Sequence, residues 1–321
     1  MATSKPLQFL ASDATALAVR RGFSAVPKWL PAWLFYDEVG SVLFEEITRL
    51  PEYYPTRTER AIFEAYAGEI LDAAGPSVTL VELGAGTATK TSVLIEEVLR
   101  RQTQALFYPI DVSVSALQEA ARQLGGQFPR LRVNPIVADY TGGVEALGRI
   151  SGRKLVLYIG SSIGNFEPDE SVGILRRMKR SLRPGDALLL GTDFAKSPKI
   201  LIPAYDDAEG VTAAFNKNIL ARLNREMDAD FKLDVFRHIA LWNKRCSRIE
   251  MHLESLSAQH VFLAMIDMDL SFTSGERIHT ENSYKYTMPM VETILRESRF
   301  CLEHTWCDRQ KWFGVHLARI D

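Results

Sequence analysis

From about residue 58 the chain alternates short apolar runs with amphipathic stretches of helix length. Ile62, Phe63, Tyr66 and Ile70 recur at helical spacing behind Pro55 and a capping box, Thr56-x-x-Glu59, which predicts a helix entered at that box. The run Val78–Leu83 ends in glycines and reads as a buried strand, and a helix follows with Leu94, Ile95, Val98 and Leu99 on one face. Further buried strands are predicted over 106–110, 131–137, 155–159 and 187–190. Each run is apolar on both faces and separated from the next by a helix-length segment, the pattern of a parallel sheet covered on both sides.

The rhythm breaks after Asp193. Residues 196–245 read as polar loop plus a helix carrying Phe215, Ile219, Leu223 and Met227 at four-residue spacing. Arg248–Ser255 then alternates strictly, with Ile249, Met251 and Leu253 against Glu250, His252 and Glu254, which predicts a sheet with one buried and one wet face. Residues 261–272 are expected to continue that sheet. A helix over 289–299 leads to strands at 301–307 and 312–320 that rejoin the first sheet. The expected division is a first domain of residues 61–195 and 287–321, and a second of 1–60 and 196–286.

At 321 residues the chain has two-domain size. Lys+Arg 38 against Asp+Glu 40 leaves a net charge of −2. Nucleic acid and anionic membrane are therefore not expected as partners, since both need clustered, uncompensated basic charge. The run Arg176-Arg177-x-Lys179-Arg180-x-x-Arg183 reads as the solvated face of one helix. Cys246, Cys301 and Cys307 make no disulfide framework, and the N-terminus lacks the unbroken apolar core of a signal peptide, so a cytoplasmic protein is expected; it is also expected to be a monomer. His238, His252, His260, His279, His304 and His316 show no HxH or HxxxH pairing; they are expected to be structural, with no metal site.

Chemistry concentrates after the first strand. Val81-Glu82-Leu83-Gly84-Ala85-Gly86-Thr87 is a glycine turn that lets a ligand approach the backbone. Thr89 occupies the position of the third glycine in a dinucleotide fingerprint, so a nucleoside without a pyrophosphate fits better. Asp111, closing the second strand, is placed to accept both ribose hydroxyls. Asp139-Tyr140 follows the third strand, carboxylate for an adenine amine and ring for ring. Leu182-Arg183-Pro184-Gly185-Asp186 turns into a fifth strand. As a set, over roughly residues 58–195, these motifs resemble class I S-adenosylmethionine-dependent methyltransferases, which implies a Rossmann-like α/β sheet; Ala88 departs from the third glycine common there.

A narrower resemblance runs end to end. Phe35-Tyr36-Asp37-Glu38-Val39-Gly40-Ser41, Leu50-Pro51-Glu52-Tyr53-Tyr54-Pro55-Thr56-Arg57-Thr58-Glu59, Ile159-Gly160-Ser161-Ser162-Ile163-Gly164-Asn165, Ala204-Tyr205-Asp206-Asp207 and Ala213-Ala214-Phe215-Asn216 resemble the histidine-specific Nα-methyltransferases of ergothioneine biosynthesis, which make hercynine. The resemblance implies three methyl transfers from S-adenosyl-L-methionine to L-histidine, with S-adenosyl-L-homocysteine released. It also implies an α+β substrate-binding domain beside the Rossmann-like one. Gly84, Lys90, Asp111, Asp139 and Tyr140 match the family's cofactor contacts, with Gly86 in the same turn. Tyr53, Asn165, Tyr205, Glu281 and Ser283 match its histidine contacts: Asn165 and Tyr205 for the amino-acid backbone, the others around the imidazole, with Asn282 between and Met251 beside it. Tyr36 and Asn165 are the catalytic candidates at the amine.

Residue chemistry agrees with these roles. An amide both donates and accepts, so Asn165 can hold either backbone group. Glu281 can accept from one ring N–H and Ser283, on the same face of extended chain, can serve the other nitrogen. By pattern alone Met251 is a core residue. Transfer from a sulfonium rests on in-line positioning and needs no metal; the proton acceptor stays open among tyrosines, Asn165 and water. Other readings are an Nα-methyltransferase of another amino acid such as tryptophan, which Glu281 disfavours, and a nucleoside-binding module without turnover.

Overall fold

The computed structural model describes residues 7–320, with side chains from residue 14 onward apart from that of residue 141. The chain divides into two compact units: a smaller one of Met1–Glu52, Pro198–Lys244 and Arg248–Asn282, and a larger one of Tyr53–Ser197, Arg245–Ser247 and Ser283–Asp321. No helix of the described residues is long and apolar enough to cross a membrane.

The larger unit is built on an eight-stranded sheet: β1 (Val78–Leu83), β2 (Ala105–Asp111), β3 (Leu131–Val133), β4 (Ile136–Val137), β5 (Arg153–Tyr158), β6 (Ala187–Asp193), β7 (Phe300–Cys307) and β8 (Phe313–Ile320). The order is β3-β2-β1-β5-β6-β8-β7, with β4 also on β2. All neighbours are parallel except β8, which runs antiparallel to β6 and β7. Every residue of β1 is buried. Its side chains alternate between two cores, Val78 and Leu80 packing with Ile62, Phe63 and Leu94, and Val81 and Leu83 with Val144, Leu175 and Leu295. The winding reverses between β1 and β5, and such a switch point opens a crevice at the carboxyl ends of the strands.

Several expectations are corrected here. The strand expected over 131–137 is two pieces, because Pro135 lies between them and brings no N–H to the ladder. The helix expected at the Thr56 box begins at Tyr54, with Pro55 in its first turn, and Glu59 is fully buried instead of serving a box. That helix, Tyr54–Ala74, is continuous and packs against the sheet, so residues 53–60 belong to the larger unit. The bound expected at 286 moves as well. Lys285 N donates to Ser247 O (2.7 Å) and Tyr286 N to Asp193 O (2.8 Å), tying 245–247 and 283–286 to the larger unit.

The smaller unit holds a four-stranded sheet in the order Lys28–Trp29, Arg277–Tyr284, Arg248–Ser255, Phe236–Asn243. Helix Val211–Met227 buries Phe215, Ile219, Leu223 and Met227, as their spacing predicts. Strand Gln259–Leu263 does not continue that sheet but pairs with Met268–Phe272 as a separate hairpin. The chain turns just before it, where Ser255 Oγ donates to Ser257 O. The face of Arg248–Ser255 expected to be wet is not: Glu250 and Glu254 are buried. Glu254 pairs with Arg237 and Arg277, and Glu250 accepts from Asn243 across the sheet and from Arg248 on its own strand, so protein partners replace water.

Candidate active site

In the larger unit the turn after β1 needs glycine twice, for different reasons. Gly84 (φ +69°) and Gly86 (φ +52°) both lie in the left-handed region. A Cβ on Gly84 would sit 2.9 Å from the Tyr140 hydroxyl, whereas one on Gly86 would meet no atom within 4 Å. The first glycine admits Tyr140; the second leaves a cradle that a side chain would fill.

Asp111, at the end of β2, faces that cradle. Its Oδ2 accepts from Gly86 N (2.9 Å) and its Oδ1 from Ser113 N (2.9 Å). Burial raises its pKa, and the backbone N–H groups of Ser113, Gly86 and Val112 oppose the rise. Each oxygen has a second lone pair, so the carboxylate can accept from both hydroxyls of a vicinal diol. Asp139 caps helix Tyr140–Leu147, its Oδ1 accepting from Gly142 N (2.8 Å), and it is exposed. The Tyr140 phenol is pushed up to about 12 by burial and the Asp111 charge, which keeps it a neutral donor. Its ring meets Tyr158 at 5.5 Å and Phe166 edge-on at 5.3 Å.

Lys90 Nζ donates to Glu59 Oε2 at 2.5 Å, and the same carboxylate accepts from Gly160 N at 2.9 and 3.0 Å. Glu59 thus ties Lys90 to the loop after β5. Sequence reasoning missed this role, although Glu59 precedes Ile62 and Phe63 by three and four residues and so shares their apolar face. Glu82, with Thr79 one of two polar residues in β1, was read as part of the glycine-turn motif but given no role of its own. Burial pushes its carboxyl up to about 8, and Thr91 Oγ1 donates to it (2.7 Å).

Asn165 closes the 3-10 turn Ser162–Asn165 and is half-buried. Ser161, before it, is left-handed (φ +58°) and its Oγ accepts from Asp193 N (3.0 Å). A Cβ on Gly164 would lie 3.0 Å from Tyr284 O, so this turn and the chain at Ser283–Tyr284 are close neighbours. Ser283 is buried, and its Oγ accepts from Lys285 Nζ (2.8 Å). Tyr53, half-buried, stands at the N-cap of helix Tyr54–Ala74.

In the smaller unit, Tyr36 packs edge-on against Phe44 (5.7 Å) and Phe215 (5.8 Å), so its ring is part of a core cluster as well as a candidate wall. His238 Nε2 donates to Tyr205 O (2.8 Å), which leaves Nδ1 to accept from Asn216 Nδ2 (2.8 Å); this assigns the tautomer from the network. Asn216 Oδ1 in turn accepts from Thr280 Oγ1 (2.7 Å), which also donates to Met251 O (3.0 Å). One buried network therefore holds the Tyr205 turn and the Met251 strand. Met251 itself is 1 % exposed. Glu281 and Asn282 are half-buried on strand Arg277–Tyr284, where Glu281 O accepts from His279 Nε2 (3.0 Å).

Two histidines without short-spacing pairing in the sequence are neighbours in the fold. His252 and His279 stack across adjacent strands at 4.7 Å, a partnership no short spacing can reveal. Burial pushes the His252 pKa down to about 4. With Glu250 they offer ligand atoms within 4.8 Å of one another. The Glu250 carboxylate, however, already accepts from Arg248 Nε (2.7 Å) and Asn243 Nδ2 (2.8 Å) and contacts His252 Nε2 (3.2 Å).

Comparison with known proteins adds the following. The family model described as histidine-specific methyltransferase, SAM-dependent, matches residues 15–320. A histidine N-alpha-methyltransferase of Mycolicibacterium smegmatis is 45% identical over 316 residues, 97% of each chain. One of Mycobacterium tuberculosis is 41% identical over 313 residues, 96% of this chain and 97% of the relative. Ergothioneine biosynthesis protein 1 of Schizosaccharomyces pombe is 33% identical over 205 residues, 61% of this chain and 26% of that longer protein.

Proposed function

The chain belongs to the histidine-specific, S-adenosylmethionine-dependent methyltransferases, and we propose that it transfers three methyl groups to the α-amine of L-histidine, giving Nα-trimethylhistidine (hercynine) for ergothioneine biosynthesis. The observation that carries this reading is the family match from residue 15 to 320, which takes in both units.

The larger unit fits S-adenosylmethionine. Gly86 leaves room for a ligand against the backbone, and Asp111 presents paired acceptors for a ribose diol. Asp139 supplies a carboxylate for an adenine amine, since one of its oxygens caps a helix and the other is not needed for that. Lys90, held by Glu59, gives a fixed positive charge for the carboxylate of the methionine part. When bound, the sulfonium supplies an electrophilic methyl and leaves as a neutral thioether, so the chemistry needs no Lewis acid. What the protein contributes is alignment of the amine with the carbon–sulfur bond.

For the amino acid we assign Tyr53, Asn165, Tyr205, Met251, Glu281, Asn282 and Ser283. Asn165 orients the backbone groups, and Tyr36 is placed at the amine, where an aromatic face favours cationic methylated intermediates. We read the protein as a cytoplasmic monomer with small-molecule partners.

The test is incubation with S-adenosylmethionine and each of the twenty amino acids, followed by product masses. Histidine gaining three methyl groups, alone among the twenty, supports the reading. Trimethylated tryptophan, or no product from any of them, overturns it. Asp111→Asn should weaken S-adenosylmethionine binding at least tenfold by calorimetry, because an amide offers one acceptor oxygen where two are used.

A further inference from the structure

Glu59 stands between two loops of the larger unit that the reaction as proposed gives to different ligands. Lys90, after the glycine turn, is assigned to the carboxylate of the methyl donor. Gly160 opens the loop after β5 that ends at Asn165, assigned to the backbone of the amino acid. One fully buried carboxylate holds both: Lys90 Nζ donates to Glu59 Oε2 (2.5 Å), and Gly160 N meets Oε1 at 2.9 Å and Oε2 at 3.0 Å. Missing side chains make the space for it. A Cβ on Gly191 would overlap Glu59 Oε1, and one on Gly160, at φ +73°, would lie 3.1 Å from Lys90 Nζ.

Neither end of this bridge is slack. Beside Lys90, Thr91 donates through Oγ1 to Glu82 (2.7 Å) and through its N–H to Ala88 O (3.1 Å). Beyond Gly160, Ser162 Oγ donates to Ile159 O (2.9 Å), Gly164 N to Ser161 O (2.8 Å), and Ser161 Oγ accepts from Asp193 N (3.0 Å). A pull on Gly160 is therefore passed along the turn toward Asn165. The charges set its direction. An ammonium has three N–H groups to share, and a ligand carboxylate that draws on Lys90 leaves Glu59 less compensated. A buried carboxylate deprived of part of its partner binds its remaining donor, the Gly160 N–H, more strongly. The turn is held more firmly, and an amino acid landing on it gives up less freedom.

We propose that Glu59 is a positioning residue that couples the two ligands: the donor carboxylate, acting through Lys90, Glu59 and Gly160, raises affinity for the amino acid at Asn165. This rests on Lys90 and Asn165 being the donor and histidine contacts. Coupling in a binding equilibrium is reciprocal, so histidine raises donor affinity by the same factor.

Calorimetry tests it with S-adenosylhomocysteine, which keeps the methionine carboxylate and allows no turnover. Its affinity is measured with and without L-histidine, and that of histidine with and without S-adenosylhomocysteine. In wild-type protein each ligand should raise affinity for the other by one common factor of about fivefold or more. In Glu59→Gln the amide oxygen still accepts from Gly160 but brings no charge to Lys90, and the factor should fall to about one. A merely structural loss weakens each affinity and leaves the factor in place. Saturating methylthioadenosine, the same thioether nucleoside without the amino-acid part, should leave the histidine affinity of wild-type protein unchanged.

A factor that persists in Glu59→Gln overturns the proposal, and so does methylthioadenosine that raises histidine affinity as much as S-adenosylhomocysteine does. If Glu59→Gln does not fold, methylthioadenosine decides alone. Wild-type protein that binds both ligands independently removes this proposal and leaves the substrate reading standing. Wild-type protein that binds no histidine, with or without S-adenosylhomocysteine, removes the substrate reading with it.

Discussion

Replacing Glu59 by alanine removes a carboxylate with no exposure that holds Lys90 Nζ at 2.5 Å and Gly160 N at 2.9 Å. Breaking a buried pair by deleting one partner costs about 3–5 kcal/mol, because the surviving charge is stranded. The Lys90 side chain is 20% exposed and can partly rehydrate, which favours about 3 kcal/mol for this term. The Gly160 N–H, left without its acceptor, adds about 1 kcal/mol or more. Glu59→Ala should therefore destabilise by about 4 kcal/mol. Glu59→Gln keeps an acceptor for Gly160 and most of the volume, and should lose only the charge contribution, about 2–3 kcal/mol. Urea unfolding followed by circular dichroism measures both. Calorimetry should show weaker S-adenosylmethionine binding in both, since each frees Lys90. A capping-box residue would instead cost about 1 kcal/mol and leave the cofactor untouched. A loss near that value with unchanged cofactor affinity would refute the reasoning.

Two further outcomes follow from the same region. The Glu82 carboxyl, pushed up to about 8 by burial, keeps its proton in the folded protein, while in the unfolded chain it ionises near 4.5. The unfolded state then binds fewer protons, so this contribution to stability is complete below 4.5 and is lost as pH rises toward 8, by up to about 1.4 kcal/mol per pH unit. Urea midpoints between pH 5 and 8 should show a shallower decline in Glu82→Gln; an unchanged slope counts against the burial argument. Gly84→Ala and Gly86→Ala should each cost about 1–2 kcal/mol for the left-handed backbone. Only Gly84→Ala should regain stability when Tyr140→Phe removes the oxygen its Cβ meets. Equal rescue of both would show that the contact is not the cause.

The Rossmann-like sheet was legible because its strands are apolar on both faces, a pattern that survives without knowledge of neighbours. The glycine turn and Asp111 were legible for a related reason, being set by backbone geometry at strand ends. What stayed hidden depends on partners distant in sequence. Phe236–Asn243 was lost within a loop because most of its residues are half-buried and show no alternation. Glu250 and Glu254 alternate as solvent-facing residues would, and Arg237, Asn243 and Arg277 on neighbouring strands, with Arg248 on their own, make their burial tolerable. Lys285 gives no local signal, since its partner Asp193 is far off in the sequence, at the end of β6. Glu59 was the readable exception: its helical phase placed it inward, and the capping motif drew attention away from it.

Gly86 N and Asp111 Oδ2 are joined by a hydrogen bond within the protein itself. In the binding proposed for the donor, the groups of this turn address the nucleoside, the part that a methyl donor and its spent product share. Such a site cannot tell the two apart by adenosine recognition, so the demethylated product competes with fresh donor after each of three transfers. Turnover would then be governed by how fast the surroundings remove S-adenosylhomocysteine, and the enzyme's rate would follow the cell's ratio of donor to product.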